Sequence, residues 1–190
     1  LPLMVYMDLK VVNQDLEIMT ESMVKSQSHH ANTELVQELT ENTVTGGVAM
    51  INHALAEMWQ VTDDILMHDW YLALLASAFG NLVFIDQPGE LYRQHSDNVL
   101  GARTLSKRFK KWIRPHILFA VYWDLIKNSQ KQARHLLQMP LSQSNRELIE
   151  AFVTIMDKSM LGRFRILRKY GLRKNKAFHT LVFTTLIVTK

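Results

Sequence analysis

The chain has 190 residues, 47% of them hydrophobic and 21% charged, which gives it the length and apolar content for a core and excludes global disorder. It has no cysteine, so a disulfide framework and any thiolate ligand or nucleophile are excluded, and a reducing compartment is the natural setting. The net charge of +4 conceals a split: residues 1–100 carry three Lys/Arg against fourteen Asp/Glu, and residues 101–190 carry nineteen against four.

Leu1 to Tyr6 has neither an initiator methionine nor the charged start and small-residue cleavage site of a signal peptide, so the expectation is a chain that begins inside a larger protein, on a strand. The β-branched and apolar run from Met4 to Val12 predicts a strand that ends at a loop by Asn13, and Asp15 to Ser28 reads as a polar connection. His29 to Leu39 is weakly helical, with Leu35, Val36 and Leu39 on one face. The adjacent His29 and His30 point in different directions on a helix and read as solvated. Gly46 and Gly47 then precede the apolar run from Val48 to Ile51, where glycine permits positive φ and close backbone approach.

His53 to Trp59 fits a short helix, and Asp63-Asp64 reads as a turn. His68-Asp69 opens a helix over Trp70 to Phe79 that Gly80 terminates. Leu82 to Ile85 and Leu91 to Arg93 read as two strands separated by Asp86-Gln87-Pro88-Gly89, so the first hundred residues predict a mixed α/β region. Beyond Gly101, helices are expected over Leu105 to Leu137, interrupted by Pro115, over Asn145 to Met160, and over Arg163 to Tyr170 up to Gly171. His179 to Val188 fits a terminal helix or a strand, and no apolar run has the length of a transmembrane helix.

The order of these features resembles the second half of the inverting GT-A glycosyltransferases, and within them the bacterial rhamnosyltransferase branch. The matching pieces are Val5-Tyr6-Met7-Asp8 with Val11-Val12-Asn13, the Thr45-Gly46-Gly47 loop, the pair His68-Asp69 where the family has Glu-Asp, and His95 in Tyr92-Arg93-Gln94-His95. They cover residues 4–103, about half the chain. The metal-binding D-x-D turn and the nucleotide-binding region that precede these pieces in the family have no counterpart in the sequence. The resemblance therefore implies an α/β acceptor-side half of a GT-A catalytic domain over residues 1–102 and a mainly α-helical basic domain over residues 103–190.

In that reading Asp69 is the general base that deprotonates the acceptor hydroxyl. His95 is a ligand of Mn²⁺ or Mg²⁺, with the remaining ligands expected from the D-x-D turn. Thr45, Gly46, Gly47, His68, Trp70 and Arg93 bind substrate. A carboxylate at a helix N-terminus is oriented by the amides there, which suits the role, although the same position equally suits a cap for the Trp70 helix. Imidazole favours Mn²⁺ over Mg²⁺, whereas a histidine between Gln94 and Ser96 also reads as a surface-loop residue. Arg93 suits a diphosphate or the neighbourhood of Asp86, and Trp70 a sugar ring or the core.

The implied function is transfer of a sugar, rhamnose by the resemblance, from a nucleotide-sugar donor to a bacterial surface polysaccharide or lipid-linked acceptor, with the isolated fragment expected to be inactive. Two basic clusters, one from Arg103 to Arg114 and one from Arg163 to Lys176, are interleaved with Phe109, Trp112, Phe164 and Ile166. This composition fits interfacial helices on anionic lipid as well as a solvated face. With no recognised nucleic-acid motif alongside, nucleic acid is not expected as a partner. The resulting placement is cytoplasmic and peripheral at the inner face of the membrane. The competing reading is a non-catalytic interaction module whose basic helical tail binds membrane, nucleic acid or a partner protein.

Overall fold

Strand β1 (Leu3–Val12) is the axis of the fold, in a computed structural model that describes residues 1–60, 63–93 and 115–190, with side chains in the last stretch from residue 119 on. β1 pairs in parallel along its whole length with β4 (Asn81–Arg93). On its other edge it pairs antiparallel with β3 (Ala49–Ile51) at Met4 to Tyr6 and with β2 (Ile18–Thr20) at Val11 and Val12. The result is a four-stranded open mixed sheet, and the described residues form an α/β structure. Met4, Tyr6, Leu9, Val11 and Val12 are all buried, as befits a strand covered on both faces.

The expected polar connection after β1 contains two elements, β2 and helix α1 (Met23–Ser28). Ser22 caps α1 by accepting the Lys25 N–H at 3.0 Å, a local signal available in the sequence. A second contribution comes from Asp8, whose carboxylate accepts the N–H groups of Leu9 at 2.8 Å and Val24 at 3.1 Å and the Ser22 hydroxyl. Asp8 lies where neither β2 nor β3 reaches the edge of β1, and α1 is fastened there instead. The helix predicted over His29 to Leu39 is confined to α2 (Leu35–Glu38): His29, at a positive φ of 76°, closes α1, and Glu34 is still extended, at φ −118° and ψ 146°, as the N-cap of α2.

Helix α3 (His53–Ala56) precedes α4 (His68–Phe79), which packs against both β1 and β4. All its residues from Trp70 to Ala76 are buried, so α4 is a central helix rather than one with a single apolar face. The two strands expected on either side of Asp86 to Gly89 are one strand, β4. Opposite Asp8 its register jumps from Ile85 to Pro88 and then to Glu90, so the extra residues form a bulge. Pro88, lacking an N–H, is tolerated there.

The helical region follows as α5 (Pro115–Leu136), α6 (Gln143–Val153), α7 (Met160–Tyr170) and α8 (Ala177–Thr189). Gly171, at φ 67°, closes α7 as predicted, and the terminal segment resolves as a helix. Most of the buried hydrophobic residues of both regions belong to one cluster that runs from Met4 through α4 to Ile187. Polar bonds stitch the same boundary: Ser129 donates to the Leu39 carbonyl at 2.6 Å and Asn145 to that of Ala78 at 2.8 Å. Asp64 pairs with Lys131 at 2.5 Å and His135 at 2.9 Å, and these bonds hold its carboxyl below the usual range. The turn at Asp63-Asp64 is thus also an anchor for the approach to α4.

Candidate functional site

A cavity of about 150 Å³ lies between β1, α1, the loop at residues 42–45 and the start of α4. Its wall includes Asp8, Ser28, Thr43, Thr45, Asp69 and Tyr92. Asp69 stands in the first turn of α4, half-buried. Its Oδ1 accepts the Trp70 N–H at 2.7 Å and its Oδ2 the Gly46 N–H at 3.3 Å. Asp69 therefore satisfies an amide of its own helix and also joins that helix to the glycine loop. Asn42 Nδ2 adds a longer bond to Oδ1 at 3.5 Å; a carboxylate has about four lone-pair sites, so these three bonds fix the group and leave one acceptor site on a side chain that lines the cavity.

The loop itself is shaped by Asn42, whose Oδ1 accepts the Val44 N–H at 2.9 Å and whose Nδ2 donates to the Val44 carbonyl at 3.1 Å. Neither Gly46 nor Gly47 has a positive φ. The loop is close to its neighbours instead: a Cβ at Gly46 would stand 2.8 Å from His68 Nε2, and one at Gly47 would stand 3.0 Å from Glu90 Oε2, both the far ends of flexible side chains.

Thr45, Gly46, Gly47, His68 and Asp69 are thus one group in space. His68 is exposed, with its ring 6.4 Å from that of Trp59. Trp70 does not join them. It is 3% exposed and its indole N–H donates to the Glu38 carbonyl at 2.7 Å, so its ring is core and offers no face to a sugar. Arg93 is exposed at the end of β4, one residue past the cavity-lining Tyr92, while Asp86, its suggested neighbour, pairs with Lys25 at 3.0 Å. His95 and the basic cluster from Arg103 to Arg114 lie outside the described residues.

Among the described residues no three His, Asp or Glu side chains come together as a metal-ligand set. Asp8, the other acid on the cavity wall, is committed to the amides of Leu9 and Val24 and to Ser22. His29 and His30 are exposed, as expected for a solvated pair.

Behind the cavity lies a buried polar layer that the sequence reading did not assign. The Tyr6 hydroxyl donates to the Asn32 carbonyl at 2.7 Å and lies 2.8 Å from Thr43 Oγ1, and burial pushes it well above its usual range. Asn32 donates from its backbone to Thr43 at 2.9 Å and from its side chain to the Glu41 carbonyl at 2.6 Å. Residues between α7 and α8 close this layer. Asn175 donates to Asn32 Oδ1 at 2.8 Å, the Thr40 hydroxyl to the Arg173 carbonyl at 2.7 Å, and Lys174 to the Thr40 carbonyl. Burial lowers the Lys174 ammonium, against the nearby charges of Glu41 and Glu38.

Glu38 is fully buried, and neither of its carboxylate oxygens has a hydrogen-bond partner. Burial pushes its carboxyl well above the usual range, and the charges of Asp69 and Glu41 push the same way. Asn32 and Thr43 oppose the shift by proximity, without reaching hydrogen-bond geometry.

No family model, curated protein or solved structure matches the chain.

Proposed function

We propose that this chain forms the acceptor side of an inverting glycosyltransferase, with Asp69 as the general base. The donor is a nucleotide sugar, with rhamnose the sugar that the resemblance implies, and the acceptor is a saccharide or lipid-linked hydroxyl of a bacterial surface polysaccharide. The acceptor oxygen attacks the anomeric carbon, the bond to the diphosphate breaks, and the nucleoside diphosphate leaves with the electron pair. The hydroxyl proton passes to the Asp69 carboxylate.

The observation that carries this reading is the juxtaposition of Asp69 with the Gly46 loop at the cavity wall. It fixes a half-buried carboxylate beside a space that an acceptor hydroxyl can enter. The cavity is smaller than the roughly 300–1,000 Å³ of sites that enclose a whole small molecule, which fits a site for the reacting end of a sugar rather than for a complete donor. In this reading Mn²⁺ or Mg²⁺ would neutralise the leaving diphosphate, with His95, which lies outside the described residues, as one proposed ligand. The proposed location is cytoplasmic, at the inner face of the membrane. Among the described residues no helix is long and apolar enough to cross a bilayer.

The test is transfer from labelled nucleotide sugars by the full-length protein and by Asp69→Asn. Asparagine keeps one acceptor oxygen, enough for one of the two amides that Asp69 serves, and cannot take a proton, so transfer should fall by at least about 100-fold in a variant whose circular dichroism matches the wild type. Undiminished transfer would sink the assignment.

A further inference from the structure

We propose that the outward face of α7 is a docking surface for an anionic lipid bilayer. From Lys158 to Lys190 the chain has nine Lys/Arg and no Asp or Glu. Within this stretch α7 turns Leu167 inward, with Ile166 and Tyr170 partly covered beside it. The opposite face carries Leu161 and Phe164, which are 58% and 45% exposed, together with the exposed Arg165 and Arg168; Met160, 57% exposed, and Lys169 stand at its margins. Residues 161, 164, 165 and 168 follow the spacing of one helical stripe, so the apolar and cationic side chains share a face. The neighbouring α8 leaves Leu181 64% exposed.

The helix that presents this face is firmly held. Arg163, on the inner side, donates to the carbonyls of Lys158 and Met156 at 2.8 Å and of Ile187 at 3.1 Å. The last bond brings the start of α7 to the end of α8, so the two helices run antiparallel as a clamped pair. A rigid helix with exposed large apolar side chains pays little ordering entropy when it meets a surface.

Charge decides what that surface is. A second copy of the chain would bring the same cations face to face, which disfavours self-association. Nucleic acid satisfies the cations but gives Leu161 and Phe164 nothing to bury against. An anionic bilayer serves both: the apolar side chains enter the headgroup–acyl boundary and the guanidinium groups of Arg165 and Arg168 take lipid phosphates. The proposal adds a contact surface to the peripheral placement proposed above and rests on that placement, but not on the role of Asp69.

The test is co-sedimentation of the full chain with vesicles of one-third phosphatidylglycerol in phosphatidylcholine, and with phosphatidylcholine alone. Binding to the anionic vesicles is expected, weakening as salt is raised. Arg165→Gln with Arg168→Gln should weaken it about 25-fold, at roughly fivefold per cation. Leu161→Ser with Phe164→Ser should weaken it about tenfold or more. These side chains are exposed, and unchanged circular dichroism will confirm that the variants fold. Equal binding to neutral vesicles, binding that ignores both double variants, or stronger retention on a short oligonucleotide than on vesicles would each overturn the proposal. No sugar donor enters the measurement, so its failure and failure of the transferase reading are separately visible.

Discussion

Asp69 Oδ2 accepts the backbone N–H of Gly46 at 3.3 Å, which fastens the first turn of α4 to a loop formed long before it in the chain. The His68 ring occupies the space beside that loop, and a Cβ at Gly46 would meet its Nε2 at 2.8 Å. This obstacle is the far end of an exposed side chain, so it can swing away. Gly46→Ala should therefore change stability by less than about 1 kcal/mol, while displacing the His68 ring. Urea denaturation reads the first effect and the His68 imidazole NMR signals the second. A stability loss of several kcal/mol would mean that the loop backbone, not the ring, has to move.

Gly80 makes the opposite case. A Cβ there would stand 1.9 Å from the backbone carbonyl oxygen of Pro2, and backbone held at the entry to β1 has no such freedom. The Pro2 carbonyl also accepts the Asn81 N–H at 3.0 Å, at the point where β1 and β4 begin to pair. Gly80→Ala should cost about 3 kcal/mol or more, and urea denaturation should show it as a shifted midpoint. A variant with wild-type stability would contradict the close approach of these two strands.

Trp70→Phe separates the core role of this residue from sugar binding. The substitution keeps an aromatic ring but deletes the donor to the Glu38 carbonyl, 2.7 Å away, leaving a buried acceptor unpaired. The expected cost is about 1–3 kcal/mol of stability. Acceptor affinity should be retained, because the ring has no exposed face; wild-type stability with a lost acceptor would reverse the assignment.

Local signals carried much of this fold in the sequence. The helix over α4, the stop at Gly171 and the β-branched run of β1 were legible because each depends on its own residues. The continuity of β4 was not, since Asp86-Gln87-Pro88-Gly89 reads as a loop unless β1 is known to lie beside it. The grouping of Asp69 with Gly46 depends on a bond between segments that are distant in the chain, and the placement of Trp70 on which carbonyl its indole meets. Glu38 and Asn32 gave no signal at all: polar residues in a polar stretch acquire meaning only when a segment far along the chain covers them.

Asn175 supplies that cover. Its side chain donates to Asn32 Oδ1 at 2.8 Å and to the His30 carbonyl at 3.3 Å, and Asn32 is fully buried with its other polar groups engaged. Asn175→Ala leaves the Asn32 acceptor unpaired, at an expected cost of about 1–3 kcal/mol. Hydrogen exchange should speed up across residues 30–43, the loop behind the cavity. Loss of protection confined to α8 would show instead that the helical region and the loop are uncoupled.

The pH dependence of stability should carry the mark of Glu38. Its carboxyl ordinarily ionises near 4.5, and burial raises it well above that in the fold. As pH rises past 4.5 the unfolded chain releases this proton while the folded chain keeps it, so stability falls until the folded group also ionises. Glu38→Gln keeps the shape and removes the titration. The variant should gain on the wild type steadily from about pH 5 upward, read as the difference between their urea midpoints at each pH. The paired Asp64 carboxyl and the buried Lys174 ammonium, both lowered, add slopes of the opposite sign; that of Asp64 is common to the two proteins and cancels, while Lys174, which feels the Glu38 charge, confines the comparison to the acidic and neutral range below its own titration. A difference that stays flat with pH would mean that Glu38 ionises as freely in the fold as in the open chain, and that it has a partner for its charge.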